Sequence, residues 1–139
     1  MERSLVLIKP DAMERNLGCT ILSRIESRGL KLVALKMLHV DRDLSHKHYA
    51  MHVGKPFFNG LIAFITSAPI IAAVFQGENA VEAIRNAMGV TDPVQAVPGT
   101  IRRDFGLNIE RNSVHGSDSK ENAEREISLF FKPGEIFDK

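Results

Sequence analysis

Leu5-Val6-Leu7-Ile8 is an unbroken apolar run that Lys9-Pro10 halts after four residues. A run this short and continuous reads as a buried central strand. It constrains everything after it, because the remaining chain must supply neighbouring strands and cover. It is also too short for a signal-peptide core or a membrane span. Cys19 is the only cysteine, which excludes an internal disulfide and a cysteine-based metal site and suits a reducing cytosol. The expectation is a cytoplasmic protein with no membrane partner.

Asp11 followed by Glu14 has the form of a capping box, and Gly18 interrupts the turn that it starts. A fuller helix follows with Leu17, Ile21 and Ile25 on one stripe and Gly29 as its stop. Leu30 to Val40 is a second strand candidate, ended by Asp41-Arg42-Asp43, and residues 44–52 read as a short helix. After the Gly54-Lys55-Pro56 turn, Leu61, Ile62 and Ile65 keep helical spacing until Pro69. Ile70 to Phe75 is the third strand. Asn79 with Glu82 repeats the capping-box pattern before a helix built on Ala80, Ala83, Ile84, Ala87 and Met88 and ended by Gly89.

Residues 90–112 lack periodicity and contain Pro93, Pro98, Gly99 and Gly106. A loop this long in a compact chain is usually functional. Ser113 to His115 reads as a last short strand. Asp118 with Glu121 then caps a helix whose core stripe is Ala123, Ile127, Phe130 and Phe131, stopped by Pro133-Gly134.

There is no internal repeat or linker, so the 139 residues are expected to form a single domain over 1–139. Four strands with helices between them predict an α/β (α+β) sandwich with a split βαβ, ferredoxin-like order. A doubly wound parallel sheet is the alternative, because periodicity does not fix strand direction. With 18 Lys and Arg against 17 Asp and Glu, the net charge is +1. No bulk field favours nucleic acid, so any anion site must come from local clustering.

His115 lies between the last strand candidate and a helix start, followed by Gly116, which lets other groups approach closely. A neutral imidazole, with an ordinary pKa of about 6.5, can attack phosphorus and form phosphohistidine. The competing reading is a histidine that only hydrogen-bonds at a strand end. Ser117 and Asp118 invite a Ser-His-Asp triad, but sequence neighbours point apart, and Asp118 is better read as a cap. Phosphoryl transfer needs cations: Arg85, Arg102, Arg103 and Arg111 lie between the third helix and His115, with Lys9 after the first strand. Thr91 and Thr100 add hydroxyls. No Walker-type loop or GxGxxG is present. His48 and His52, four apart, would share a helix face as zinc ligands can, but no third ligand has suitable spacing. Phe57-Phe58 reads as core, or as one aromatic free to stack on a base.

Asn112-Ser113-Val114-His115-Gly116-Ser117-Asp118 resembles the Asn-x-x-His-Gly-Ser-Asp signature of nucleoside diphosphate kinases. Ile8-Lys9-Pro10-Asp11, His48-Tyr49, Lys55-Pro56-Phe57-Phe58 and Pro98-Gly99-Thr100-Ile101-Arg102, with Asp104-Phe105, match that family in order along essentially the whole chain. The resemblance implies a four-stranded antiparallel sheet covered by helices. It also implies ping-pong transfer of a γ-phosphate from a nucleoside triphosphate, typically ATP, to a nucleoside diphosphate through phosphorylated His115. By the same resemblance, Lys9 and Asn112 would contact the sugar and nearby phosphate. Arg85, Thr91, Arg102 and His52 would hold phosphates, and Phe57 would stack on the base. Tyr49 and Glu126 would steady the histidine ring, with Ser117 either orienting Glu126 or completing a turn. Mg²⁺ would be the cofactor, held through the nucleotide phosphates rather than by a protein metal site. The partners implied are nucleotides and copies of the chain itself, in a hexamer or a tetramer built from dimers. Arg103 stands where the family usually has a small residue, and Gln76 where it often has Glu. A binding scaffold without catalysis and a histidine phosphocarrier are the rival readings. The first would lack the histidine or its cations, and the second has no use for Phe57, Lys9 and Arg85.

Overall fold

The computed structural model describes residues 1–138. Four strands, β1 (Glu2–Ile8), β2 (Lys31–Leu38), β3 (Ile70–Gly77) and β4 (Val114–Gly116), form one sheet in the order β2-β3-β1-β4. Every pairing is antiparallel. β1 and β2 therefore run the same way with β3 between them, the split βαβ of a ferredoxin-like sandwich. The doubly wound parallel alternative is excluded.

Side chains alternate faces along a strand, and this divides the apolar run of β1 between two cores. Leu5 and Leu7 enter one core with Ile62, Ile65, Ile127 and Phe130. That face is covered by α3 (Arg42–His48), α4 (Phe58–Ile65) and α7 (Lys120–Phe130). Val6 and Ile8 enter the other with Ile21, Ile25, Ile84 and Met88. Here α1 (Pro10–Glu14), α2 (Gly18–Glu26) and α5 (Ala80–Met88) provide the cover. Leu5, Val6, Leu7 and Ile8 have no exposed surface.

Parity also aims the last strand. In β4, His115 pairs with Leu7 and so shares the face of α3 and α7. Val114 belongs to the opposite core. Gly116 lies against α5, where a Cβ would come within 2.5 Å of Met88 Sδ and 2.9 Å of Ile84 Cγ2. The close approach that this glycine permits is thus by a helix of the other core.

Several local expectations need correction. Asp11 does not cap α1: Lys9 is the N-cap residue, Pro10 opens the helix, and no side chain caps it. Pro10 suits a first helical position because its missing N–H has no helical partner there. Asn79 also fails to cap α5, since it is left-handed at φ 50°. The carboxylate of Glu2 accepts from Val81 N at 2.9 Å instead. Ser119 rather than Asp118 caps α7, accepting from Asn122 N at 3.1 Å. The loop over 90–112 contains a short helix, α6 (Ile101–Phe105), capped by Thr100. Five residues are too few for a visible period.

Candidate active site

β4 begins beside a strained turn. Ser113 has φ 74°, and Val114 N donates to Asn112 O at 3.0 Å across it. A buried non-glycine residue in that conformation is uncommon and is held by its surroundings. Lys9 N donates to Ser113 O at 2.9 Å, which fastens the end of β1 to this turn. His115 follows two residues later, partly buried, its ring facing α3 and α7.

Glu126, buried on α7, receives His115 Nε2 on Oε1 at 3.1 Å and Ser117 Oγ on the same oxygen at 2.6 Å. Ser117 Oγ also accepts from Leu5 N at 3.3 Å, so it links β1, the end of β4 and α7. Ser117 therefore orients Glu126. Burial alone would raise the Glu126 carboxyl, but the hydrogen bonds from His115 and Ser117 hold it down at about 2. A carboxylate can only accept, so Nε2 carries the proton. Nδ1 makes no hydrogen bond among the described residues and keeps its lone pair.

His48 completes the inner wall. Its ring meets His115 edge to face at 4.8 Å and Phe130 at 5.4 Å, and its Nδ1 stands 3.7 Å from Glu126 Oε2. Burial and the neighbouring His115 push its pKa down to about 3, against the pull of Glu126. At neutral pH His48 is therefore uncharged. Tyr49 is buried with its ring 4.6 Å from His48 and 6.2 Å from His52. It thus meets the histidine cluster through His48. Burial first, and then the charge of Glu126, raise its hydroxyl's pKa. His52 is not aligned with His48, because α3 ends at His48 and His52 closes a separate 3₁₀ turn.

These groups line a cavity of about 630 Å³ with Lys9, Phe57, Arg85, Thr91, Arg102, Asn112 and His52. That size suits a small-molecule ligand. A larger groove of about 830 Å³ lies beside the ends of β1 and α7, but its lining has no histidine or cysteine. Lys9 is buried and donates to Asn112 Oδ1 at 2.9 Å, while Asn112 Nδ2 donates to Thr91 O at 3.0 Å. Burial and the charge of Arg102 lower the Lys9 pKa to about 8, so the amine is mostly charged at neutral pH. Arg102 is also buried, donating to Gly89 O at 3.2 Å and Val114 O at 2.9 Å. Burial and Arg85 lower its pKa to about 10. Arg85 and Thr91 are exposed on the cavity wall. At the rim Phe57 is 47% exposed, with the His52 ring at 5.3 Å and Lys55 Nζ at 5.7 Å.

The cavity thus gathers every catalytic and nucleotide-binding candidate drawn from the sequence: His115, Lys9, Tyr49, Glu126, His52, Phe57, Arg85, Thr91, Arg102 and Asn112. It does not gather all the cations. Arg103 donates to the carbonyls of Val94 and Ala96, and Arg111 lies over Phe64 at 5.4 Å. Thr100 serves as a helix cap. Sequence reasoning missed the inner position of His48, and it missed Ile109 and Glu110, which line the cavity from the long loop. The apolar Phe130 behind His48 was legible as core, but no local signal placed the loop residues.

A family model described as Nucleoside diphosphate kinase matches residues 2–136. A nucleoside diphosphate kinase of Dehalococcoides mccartyi is 58% identical over 136 residues, covering 98% of this chain and 96% of that protein. One of Roseiflexus castenholzii is 53% identical over 138 residues, covering 99% and 93%. Among solved structures, a halophilic nucleoside diphosphate kinase from Halobacterium salinarum in complex with CDP superposes with a TM-score of 0.96. It is 46% identical and covers 99% of this chain and 92% of that one. The Aquifex aeolicus nucleoside diphosphate kinase gives 0.95 at 39% identity, covering 97% and 98%.

Proposed function

This chain belongs to the nucleoside diphosphate kinase family, and we propose that His115 is the residue that carries phosphate between its nucleotides. The observation that supports this reading is the 3.1 Å contact from His115 Nε2 to Glu126 Oε1: an ionised carboxylate only accepts, so the proton sits on Nε2 and Nδ1 is the free base. The Nδ1 lone pair attacks the γ-phosphorus of a triphosphate. The bond from that phosphorus to the β–γ bridging oxygen breaks, and the nucleoside diphosphate leaves with the electron pair. In the second half a terminal oxygen of another diphosphate attacks the phosphohistidine, and the P–N pair returns to Nδ1.

The imidazolium-like ring formed in each transition state is stabilised by the ionised Glu126. Lys9, Arg85 and Arg102 neutralise phosphate oxygens, and Thr91 and His52 donate to them. Asn112 sets the Lys9 ammonium and faces the sugar. Phe57 stacks on a base through its π-face, which every base offers, so base tolerance is broad. Tyr49 supports the ring of His115 from behind His48.

Mg²⁺ fits this donor set as a cation carried on the nucleotide. Glu110, Asp118 and Glu126 all line the cavity, but among the described residues no three carboxylates come close enough together to hold an ion. When bound, the ion neutralises charge on the β- and γ-phosphates. No helix among the described residues is long and apolar enough to cross a membrane. A cytoplasmic setting agrees with the lone, exposed Cys19. A homo-oligomer, a hexamer or a tetramer of dimers, agrees with the exposed Leu35 and Met37 on the edge strand β2 and with Val94, Val97 and Leu107 on the long loop.

Initial rates with ATP and GDP both varied test the double displacement. Parallel double-reciprocal lines are expected. Intersecting lines would mean direct transfer in a ternary complex and would remove the phosphohistidine step.

A further inference from the structure

We propose that His48, His115 and Glu126 form a site for a borderline-soft divalent cation such as Zn²⁺, and that its occupation shuts off His115. One ligand atom from each residue lies within 4.8 Å of the others. Glu126 Oε1 is 3.1 Å from His115 Nε2, and Oε2 is 3.7 Å from His48 Nδ1. Ligands around one tetrahedral Zn²⁺, with bonds of about 2.0–2.2 Å, stand roughly 3.4 Å apart. Two of these spacings straddle that value, and a small rotation of the His48 or His115 ring closes the third, which lies within 4.8 Å.

A second observation points to a missing partner. Both ring nitrogens of His48 are buried with no hydrogen bond among the described residues. Buried polar atoms are nearly always partnered, and a cation shared with Glu126 would give one of these nitrogens its partner. The other histidines are engaged elsewhere: His39 with Thr66 O, His46 with Arg42 O and His52 with Lys55 Nζ. His115 keeps 22% of its side chain exposed, so an ion entering from the cavity reaches the cluster. Two imidazoles and one carboxylate with an open position favour Zn²⁺ over Mg²⁺, which prefers oxygen ligands.

The consequence follows from the ring. A neutral imidazole has one N–H and one lone pair. When zinc takes the lone pair at Nε2, the proton moves to Nδ1, with no net proton lost. The nitrogen required for attack on phosphorus then has no lone pair to offer. This consequence rests on the reading of His115 as the phosphate acceptor; the site itself does not.

ZnCl₂ added to the nucleotide-free full chain, with MgCl₂ as control, tests both parts. One equivalent of zinc is expected to shift the ring-nitrogen resonances of His48 and His115 together, and Mg²⁺ to leave them in place. His48→Gln is expected to weaken zinc binding at least tenfold in calorimetry. Labelling of His115 by ATP is expected to fall in step with zinc occupancy. Shifts confined to His39, His46 or His52, or zinc binding unchanged in His48→Gln, would overturn the site. Should that variant not fold, the wild-type resonances still decide. Full labelling at full occupancy would overturn the inhibition. Absent labelling without zinc would refute the phosphate-acceptor reading, while the resonances would still judge the site.

Discussion

At the scale of residues, the site is held by a few short contacts, and each has a measurable consequence. Lys9 should lose its charge above its lowered pKa of about 8. The expected result is a fall in kcat/KM as pH rises through that value; a flat profile to pH 10 would contradict a charged Lys9 in phosphate binding. His48 gives the opposite edge. Its folded pKa of about 3 lies below the ordinary 6.5, so the unfolded chain takes up a proton first. Its contribution to stability is complete above pH 6.5 and is lost as pH falls toward 3, and Glu126, held at about 2, adds to the loss below 4.5. Urea midpoints measured against pH check this, and a stability constant between pH 6.5 and 4.5 would contradict it. Glu126→Ala should lower kcat about 10²-fold, as a misoriented reacting group does, with KM changing far less. Phe57→Ala should raise KM for adenine, guanine and cytosine nucleotides alike, by a stacking energy of about 1–3 kcal/mol. Strong selectivity for one base would count against simple stacking. His115 stood out because its motif marks it, whereas Glu126 lies beyond that motif and was singled out through the family resemblance. The place of His48 was not, since four-residue spacing suggested a pair with His52 and the end of α3 at His48 separates the two.

At the scale of elements, the uninterrupted run of β1 was informative because only a strand covered on both faces can be apolar at every position. Its two cores follow from parity alone. Register was not legible. That Leu7 lies beside His115 depends on β4, a three-residue strand whose period cannot be read. Caps were misplaced for a similar reason. Asp, Asn and Ser compete for the same role within one or two residues, and distant groups such as Glu2 can take it. Gly116→Ala tests the packing of β4 on α5. With its new Cβ 2.5 Å from Met88 Sδ and 2.9 Å from Ile84 Cγ2, the variant should lose about 1–3 kcal/mol of stability. Chemical denaturation checks this, and an unchanged midpoint would mean that α5 yields without cost.

At the scale of the whole molecule, the sandwich brings the ends of β1 and β4, the tail of α3 and the middle of α7 to one cavity. The long loop supplies Arg102 and Asn112 from residues that had no visible period in the sequence. The same loop exposes Val94, Val97 and Leu107, and β2 exposes Leu35 and Met37. Light scattering should accordingly report a multimer, whereas a monomer at working concentrations would contradict the proposed assembly. The central claim is that phosphate passes through His115. It is tested most directly by mixing the protein with γ-labelled ATP alone, without a diphosphate acceptor. The predicted result is close to one acid-labile phosphate per active chain, removed by GDP or CDP and absent from His115→Ala. A wild-type protein that binds nucleotide and never takes up label would contradict it.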